Sequence, residues 1–145
     1  MLRYLIPLLA AAISAGFQPR AEAQELAAVG VHVGSWHSEP GFNNTNPGLY
    51  LRTADGWTAG VYRNSIRRTS VYAGWTTGTA LTDGVRAEVT LGAITGYQIP
   101  LLPMAIPSVR FALGDHLGAR LIFIPRISPK FGAHVVSLAL DWSLR

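Results

Sequence analysis

From Val136 to Leu144 the chain alternates without a break. Val136, Leu138, Leu140, Trp142 and Leu144 are apolar, while Ser137, Ala139, Asp141 and Ser143 between them are small or polar. Val85 to Ala93 repeats the pattern, with Val85, Ala87, Val89, Leu91 and Ala93 set against Arg86, Glu88, Thr90 and Gly92. Successive side chains of a strand point to opposite faces, so a period of two predicts a two-faced sheet. No heptad and no long 3.6-residue pattern follows Gln24. Read this way throughout, the chain predicts eight strands, at roughly 28–37, 47–54, 57–64, 68–77, 84–95, 105–113, 117–126 and 132–144. Asp55-Gly56, the 78–83 segment with Asp83-Gly84, and Gly114-Asp115 carry tight-turn chemistry. The connections 38–46, 96–104 and 127–131 are longer.

The opening residues read as an address. Met1-Leu2-Arg3 is positively charged, Tyr4 to Phe17 is largely apolar, and Ala21-Glu22-Ala23 offers a small-x-small cleavage site. These are the parts of a secretory signal peptide, which predicts removal of 1–23 and a mature domain over 24–145. Nothing after it approaches the run of about 18 apolar residues that a membrane-crossing helix needs. Yet only 14% of residues are charged and 49% are hydrophobic, against about 25% charged in an ordinary soluble domain. Eight strands of about 9–11 residues, the length that crosses a bilayer, fit the mature chain and leave room for seven connections. The expectation is an all-β, eight-stranded antiparallel up-and-down transmembrane β-barrel in the outer membrane of a Gram-negative bacterium. Its alternative is a soluble, lipocalin- or avidin-like barrel with the faces reversed. Cysteine is absent, which excludes disulfides and thiolate chemistry. The +4 charge comes from scattered arginines with one adjacent pair, Arg67-Arg68, so no nucleic-acid partner is expected.

With lipid outside, Arg52, Arg86, Glu88, Arg110, Arg120 and Asp141 face inward and can pair in a lumen filled by side chains. Parity also turns His32, Gly34, Trp36, Gly60, Gly74 and Gly92 inward. The glycines read first as close packing, and second as room for an acyl chain. Trp36, Trp57, Trp75 and Trp142 lie near strand ends, where interface anchors belong. Short turns are periplasmic in such barrels. The segments 38–46, 65–67, 96–104 and 127–131 then fall outside and gather His37, Asn43, Asn44, Asn46, Asn64, Ser65, Arg67 and Arg68 at one external rim.

On that rim His37 is a candidate general base, Ser65 a candidate hydroxyl partner and Asn64 an orienting amide. As ordinary loop residues they equally read as solvated. His32 is a second candidate base, or a hydrogen-bonded filler of the lumen. His116 and His134 have no metal-ligand spacing, and no metal or cofactor is expected. Pro100, Pro103 and Pro107 crowd the sixth strand and Pro125 closes the seventh. Proline donates no ladder hydrogen bond, so neighbouring strands carrying it can leave a gap in the wall.

Ile99-Pro100-Leu101-Leu102-Pro103-Met104-Ala105-Ile106-Pro107-Ser108-Val109 and Leu121-Ile122-Phe123-Ile124-Pro125 resemble the PagP family of outer-membrane lipid A palmitoyltransferases. Phe42-Asn43-Asn44-Thr45-Asn46-Pro47-Gly48-Leu49 resembles the family's segment entering the second strand. Gly60 to Ser65 falls where the family carries an Asp-Ser pair. The resemblance spans roughly residues 28–144. It implies a monomeric barrel that moves an acyl chain from a membrane phospholipid to lipid A or a similar acceptor. Ser65 would match the family serine and either His37 or His32 its histidine. Pro107 and Pro125 would frame lateral lipid access. Asn64 stands where the family has aspartate. The alternative is a non-catalytic structural or lipid-binding barrel.

Overall fold

The computed structural model describes residues 25–126 and 132–145. The expected signal peptide over 1–23 and the connection 127–131 lie outside the described residues. The eight strands are β1 (Leu26–His37), β2 (Thr45–Thr53), β3 (Trp57–Arg63), β4 (Thr69–Thr82), β5 (Val85–Ile94), β6 (Leu102–Ala112), β7 (Leu117–Ile124) and β8 (Val135–Ser143). Each pairs antiparallel with its sequence neighbour, and β8 closes onto β1. Closure removes both sheet edges.

Three strand bounds differ from the sequence reading by three residues or more. β4 runs on to Thr82, because Gly78, Thr79, Ala80 and Thr82 pair with Glu88, Ala87, Arg86 and Val85. The expected 78–83 turn therefore shrinks to Asp83-Gly84, with Gly84 at φ +82°. Thr and Gly carry no apolar alternation, so this extension left no signal. β6 starts at Leu102, with Pro103 opposite Ala93 of β5. β8 starts only at Val135, and Gly132 has φ +87°, which is not strand backbone.

The faces fall as parity required. Val31, Leu49, Leu51, Val61, Val71, Leu91, Leu121, Phe123, Val136 and Leu138 are exposed on the outer wall. Tyr50, Thr58, Ser70, Thr76, Ser108, Arg120, Ala139 and Asp141 are buried in the lumen. An apolar outside and a polar inside are the reverse of a soluble barrel. Trp57, Trp75 and Trp142 face out near the end that carries the tight turns, and Trp36 faces out near the other end. The Trp75 indole N–H donates to the Asp55 carbonyl at 2.8 Å, leaving its ring on the apolar wall.

Parity fails in the middle of β1. His32 pairs with Ala139 of β8, but Gly34 pairs with Leu138, so β1 holds one extra residue at Val33. This β-bulge inverts every face beyond it. Gly34 and Trp36, expected inward, stand opposite the outward Leu138 and Val136, and Trp36 is 61% exposed. Ser35 and His37 turn into the lumen instead, and His37 is buried.

Candidate functional site

The lumen is built in layers. At the long-loop end, His37 Nδ1 bonds Asn44 Oδ1 at 2.6 Å and its ring stacks on Phe42 at 5.0 Å. With a carbonyl oxygen as partner, Nδ1 is the donor, and in the neutral ring the lone pair then sits on Nε2. Nε2 is buried and has no hydrogen-bond partner among the described residues. Just below, the Ser35 hydroxyl donates to Asn46 Oδ1. Asn46 Nδ2 in turn donates to the Arg63 carbonyl at 2.9 Å.

Asn64 is fully buried, and all of its amide is committed. Its Nδ2 donates to Ser70 Oγ and to the Gly96 carbonyl, both at 3.0 Å. Its Oδ1 accepts from the backbone N–H of Ile66 and Arg68 at 3.0 and 2.9 Å. That is a side chain closing its own turn, a turn in which Arg67 takes φ +62°. None of these bonds reaches His37 or the Ser65 hydroxyl, so the amide expected to orient one of them is instead spent on the turn. Ser65 does lie beside the first loop: its carbonyl accepts from Asn43 N–H at 2.8 Å. His37 and Ser65 thus meet at one rim through the Asn43-Asn44 segment.

His32 belongs to a different layer. Its ring stands 5.3, 5.1 and 5.8 Å from Tyr50, Tyr62 and Tyr72, and Nε2 bonds the Tyr72 hydroxyl at 2.9 Å. Glycines make room for this layer. A Cβ on Gly30 would fall inside the Tyr50 ring, and one on Gly60 would come 2.6 Å from Tyr72. The inward Gly60 therefore accommodates a tyrosine rather than an acyl chain. Gly74 and Gly92 let β4 and β5 approach backbone to backbone. Sequence reasoning passed over the three tyrosines, although all share the inward parity of Arg52 and Gly60.

Toward the tight-turn end lies an ion network. Glu88 takes Arg120 at 2.8 Å, Arg52 at 3.4 Å and Arg86 at 3.8 Å. Asp141 takes Arg110 at 2.6 Å and Arg120 at 3.4 Å, and accepts from the Tyr50 hydroxyl at 3.2 Å. All six charged residues expected inward join this network.

Two features mark the wall. The β6–β7 ladder ends at Ser108 opposite Ile122, while Phe123 and Ile124 pair only with β8. Pro107, opposite Val89 of β5, stands at that end of the ladder, and Pro125 follows directly after β7. The two prolines thus flank an unzipped stretch on the long-loop half. Separately, a groove of about 580 Å³ crosses β1, β2 and β3. Val31, Pro47, Leu49 and Val61 line it, with Gly48 between them and Arg63 at its long-loop end.

Comparison with known proteins bears on the fold. No family model and no curated protein matches the chain. The designed transmembrane barrel TMB2.3, solved by NMR in solution, is similar at 12% identity and TM-score 0.59, covering 86% of this chain and 99% of that one. A second de novo designed transmembrane β-barrel is similar at 11% identity and TM-score 0.60, covering 85% and 98%. At such identity the likeness concerns architecture alone, and it agrees with the apolar outer wall: the chain is a transmembrane β-barrel.

Proposed function

We propose that this protein is a lipid-binding barrel of the outer membrane of a Gram-negative bacterium, with a closed lumen and its site on the lipid-facing wall. The groove over β1–β3 carries this reading. Its sides, Val31, Pro47, Leu49 and Val61, suit an acyl chain. Arg63 at its end suits the phosphate of the headgroup, which a guanidinium grips in bidentate fashion. The filled layers inside support a closed lumen rather than a pore. Native mass spectrometry from detergent tests the site. Wild type should retain phosphatidylglycerol, and Arg63→Gln or Val61→Trp should lose it. Equal retention by all three, or none by wild type, contradicts the reading.

A second reading, acyl transfer from a phospholipid to lipid A or a similar acceptor, is supported by His37. Its Nδ1 is held by Asn44 and its Nε2 has no partner among the described residues, which suits a base, and Ser65 joins the same rim through its carbonyl bond to Asn43. The unzipped stretch between Pro107 and Pro125 would admit the lipid sideways. Lipid analysis by mass spectrometry of cells with and without the gene decides it. On this reading His37→Ala and Ser65→Ala each abolish the lipid change, whereas His32→Ala chiefly lowers stability.

A further inference from the structure

At the tight-turn end the lumen opens into a vestibule of about 280 Å³, lined by Arg52, Arg86, Arg110, Glu88, Asp141 and Asp115 among others. The ion network behind it does not balance. Among the described residues, the carboxylates paired with Arg52, Arg86, Arg110 and Arg120 are Glu88 and Asp141 alone, while Arg52 also donates to the Thr58 hydroxyl and Arg86 to the Gly78 carbonyl. Four guanidiniums carry about twenty N–H donors, and two carboxylates about eight acceptor sites. Arg120, whose side chain is 5% exposed, keeps a buried Nε without a partner. Glu88 and Asp141 are themselves almost wholly buried, so they are already used by the arginines around them. Arg86, half exposed, reaches Glu88 only at 3.8 Å. The surplus positive charge therefore faces the open vestibule.

We infer that this vestibule binds a small phosphate-class oxyanion, held by Arg52, Arg86 and Arg110. Planar guanidiniums converging on a partly desolvated hollow match such an anion in charge and in fork geometry. Asp115 at the mouth opposes it with one negative charge. The same phosphate chemistry reaches the site as free phosphate or as the headgroup of an anionic lipid bent over the rim.

The test uses the mature barrel refolded in neutral detergent. Binding of inorganic phosphate is followed by phosphorus NMR line broadening and by the rise in unfolding midpoint, with chloride at matched ionic strength as control. A second arm places the barrel in vesicles of phosphatidylcholine with or without phosphatidylglycerol. Phosphate should raise the midpoint beyond chloride. Arg86→Gln should weaken binding about tenfold, the loss of one charge-assisted contact, and Asp115→Asn should tighten it. Arg86 is half exposed and its contacts to Glu88 and the Gly78 carbonyl are long, at 3.8 and 3.3 Å, and Asp115→Asn keeps the turn chemistry. A shift only with phosphatidylglycerol, and dependent on Arg86, upholds the site with a lipid headgroup as its occupant. Equal effects of phosphate and chloride with no phosphatidylglycerol response, or responses unchanged in both variants, overturn it.

Discussion

Asn64 shows how one side chain can resist a functional reading. Its Nδ2 donates to Ser70 Oγ and the Gly96 carbonyl, and an aspartate has no hydrogen to give either. Asn64→Asp, which restores the residue type of the resembled family, is therefore expected to destabilise rather than activate. The cost is about 1–3 kcal/mol for an acceptor left bare, and more if the carboxylate stays charged. Urea unfolding in detergent checks this; an unchanged midpoint with new acyl transfer would reverse the conclusion. The glycines make a parallel case. Gly60→Ala should cost about 1–3 kcal/mol by overpacking against Tyr72, and Tyr72→Leu in the same chain should recover most of it. A double-mutant cycle with no coupling would show that the ring does not rest on Gly60. Neither pairing was legible in the sequence. Asn64 reads as an ordinary turn residue until its partners on β4 and beyond β5 are in place. Gly60 meets Tyr72 only through a register that no local signal sets.

Among the strands, β8 was legible in its facing though not in its start, because from Val136 on one face is large and apolar at every step while the other is small or polar. β4 was not, since apart from Leu81 its last residues are threonine, glycine and alanine, which suit either face. The bulge in β1 was invisible for another reason: Gly34-Ser35-Trp36-His37 alternates acceptably in either register. Its consequence is large, because it turns His37 inward and Trp36 out. Deleting Val33 should restore simple parity, drive Trp36 into the lumen and break the His37–Asn44 bond. The expected result is a barrel that refolds poorly, seen as loss of the heat-modifiable band on gels. Wild-type refolding by that variant would mean that the bulge does not set these faces. Depth along a strand matters too. Leu140 faces out opposite Val31 and Ala119, mid-wall, so Leu140→Arg should cost about 2–4 kcal/mol. Leu144, past the end of β8, lies near the interface, where the same change should cost about 0–1 kcal/mol. Equal midpoints in bilayer refolding would contradict that placement.

At the scale of the molecule, closure of eight strands puts an apolar wall outside and a filled, charged lumen inside. The barrel was legible from the period, and lipid outside was favoured by the export signal, the apolar content and the scarcity of charge, with the reversed soluble barrel as the alternative, because burying a charge in lipid is so costly. The contents of the lumen were readable only as a set: parity named the six charged residues, but their pairing depends on barrel shear. A lumen blocked by the His32–tyrosine layer and the Glu88–Asp141 network should not conduct, so planar bilayers holding the protein should show no steps of ionic current. The facing claim has the most direct test. Backbone and methyl NMR of the barrel in lipid nanodiscs carrying a paramagnetic lipid should broaden Val31, Leu49, Val61, Leu91, Leu121 and Leu138. It should spare His32, Tyr50, Ser70, Arg120 and Asp141. Broadening of the second set with the first left sharp would contradict the whole arrangement.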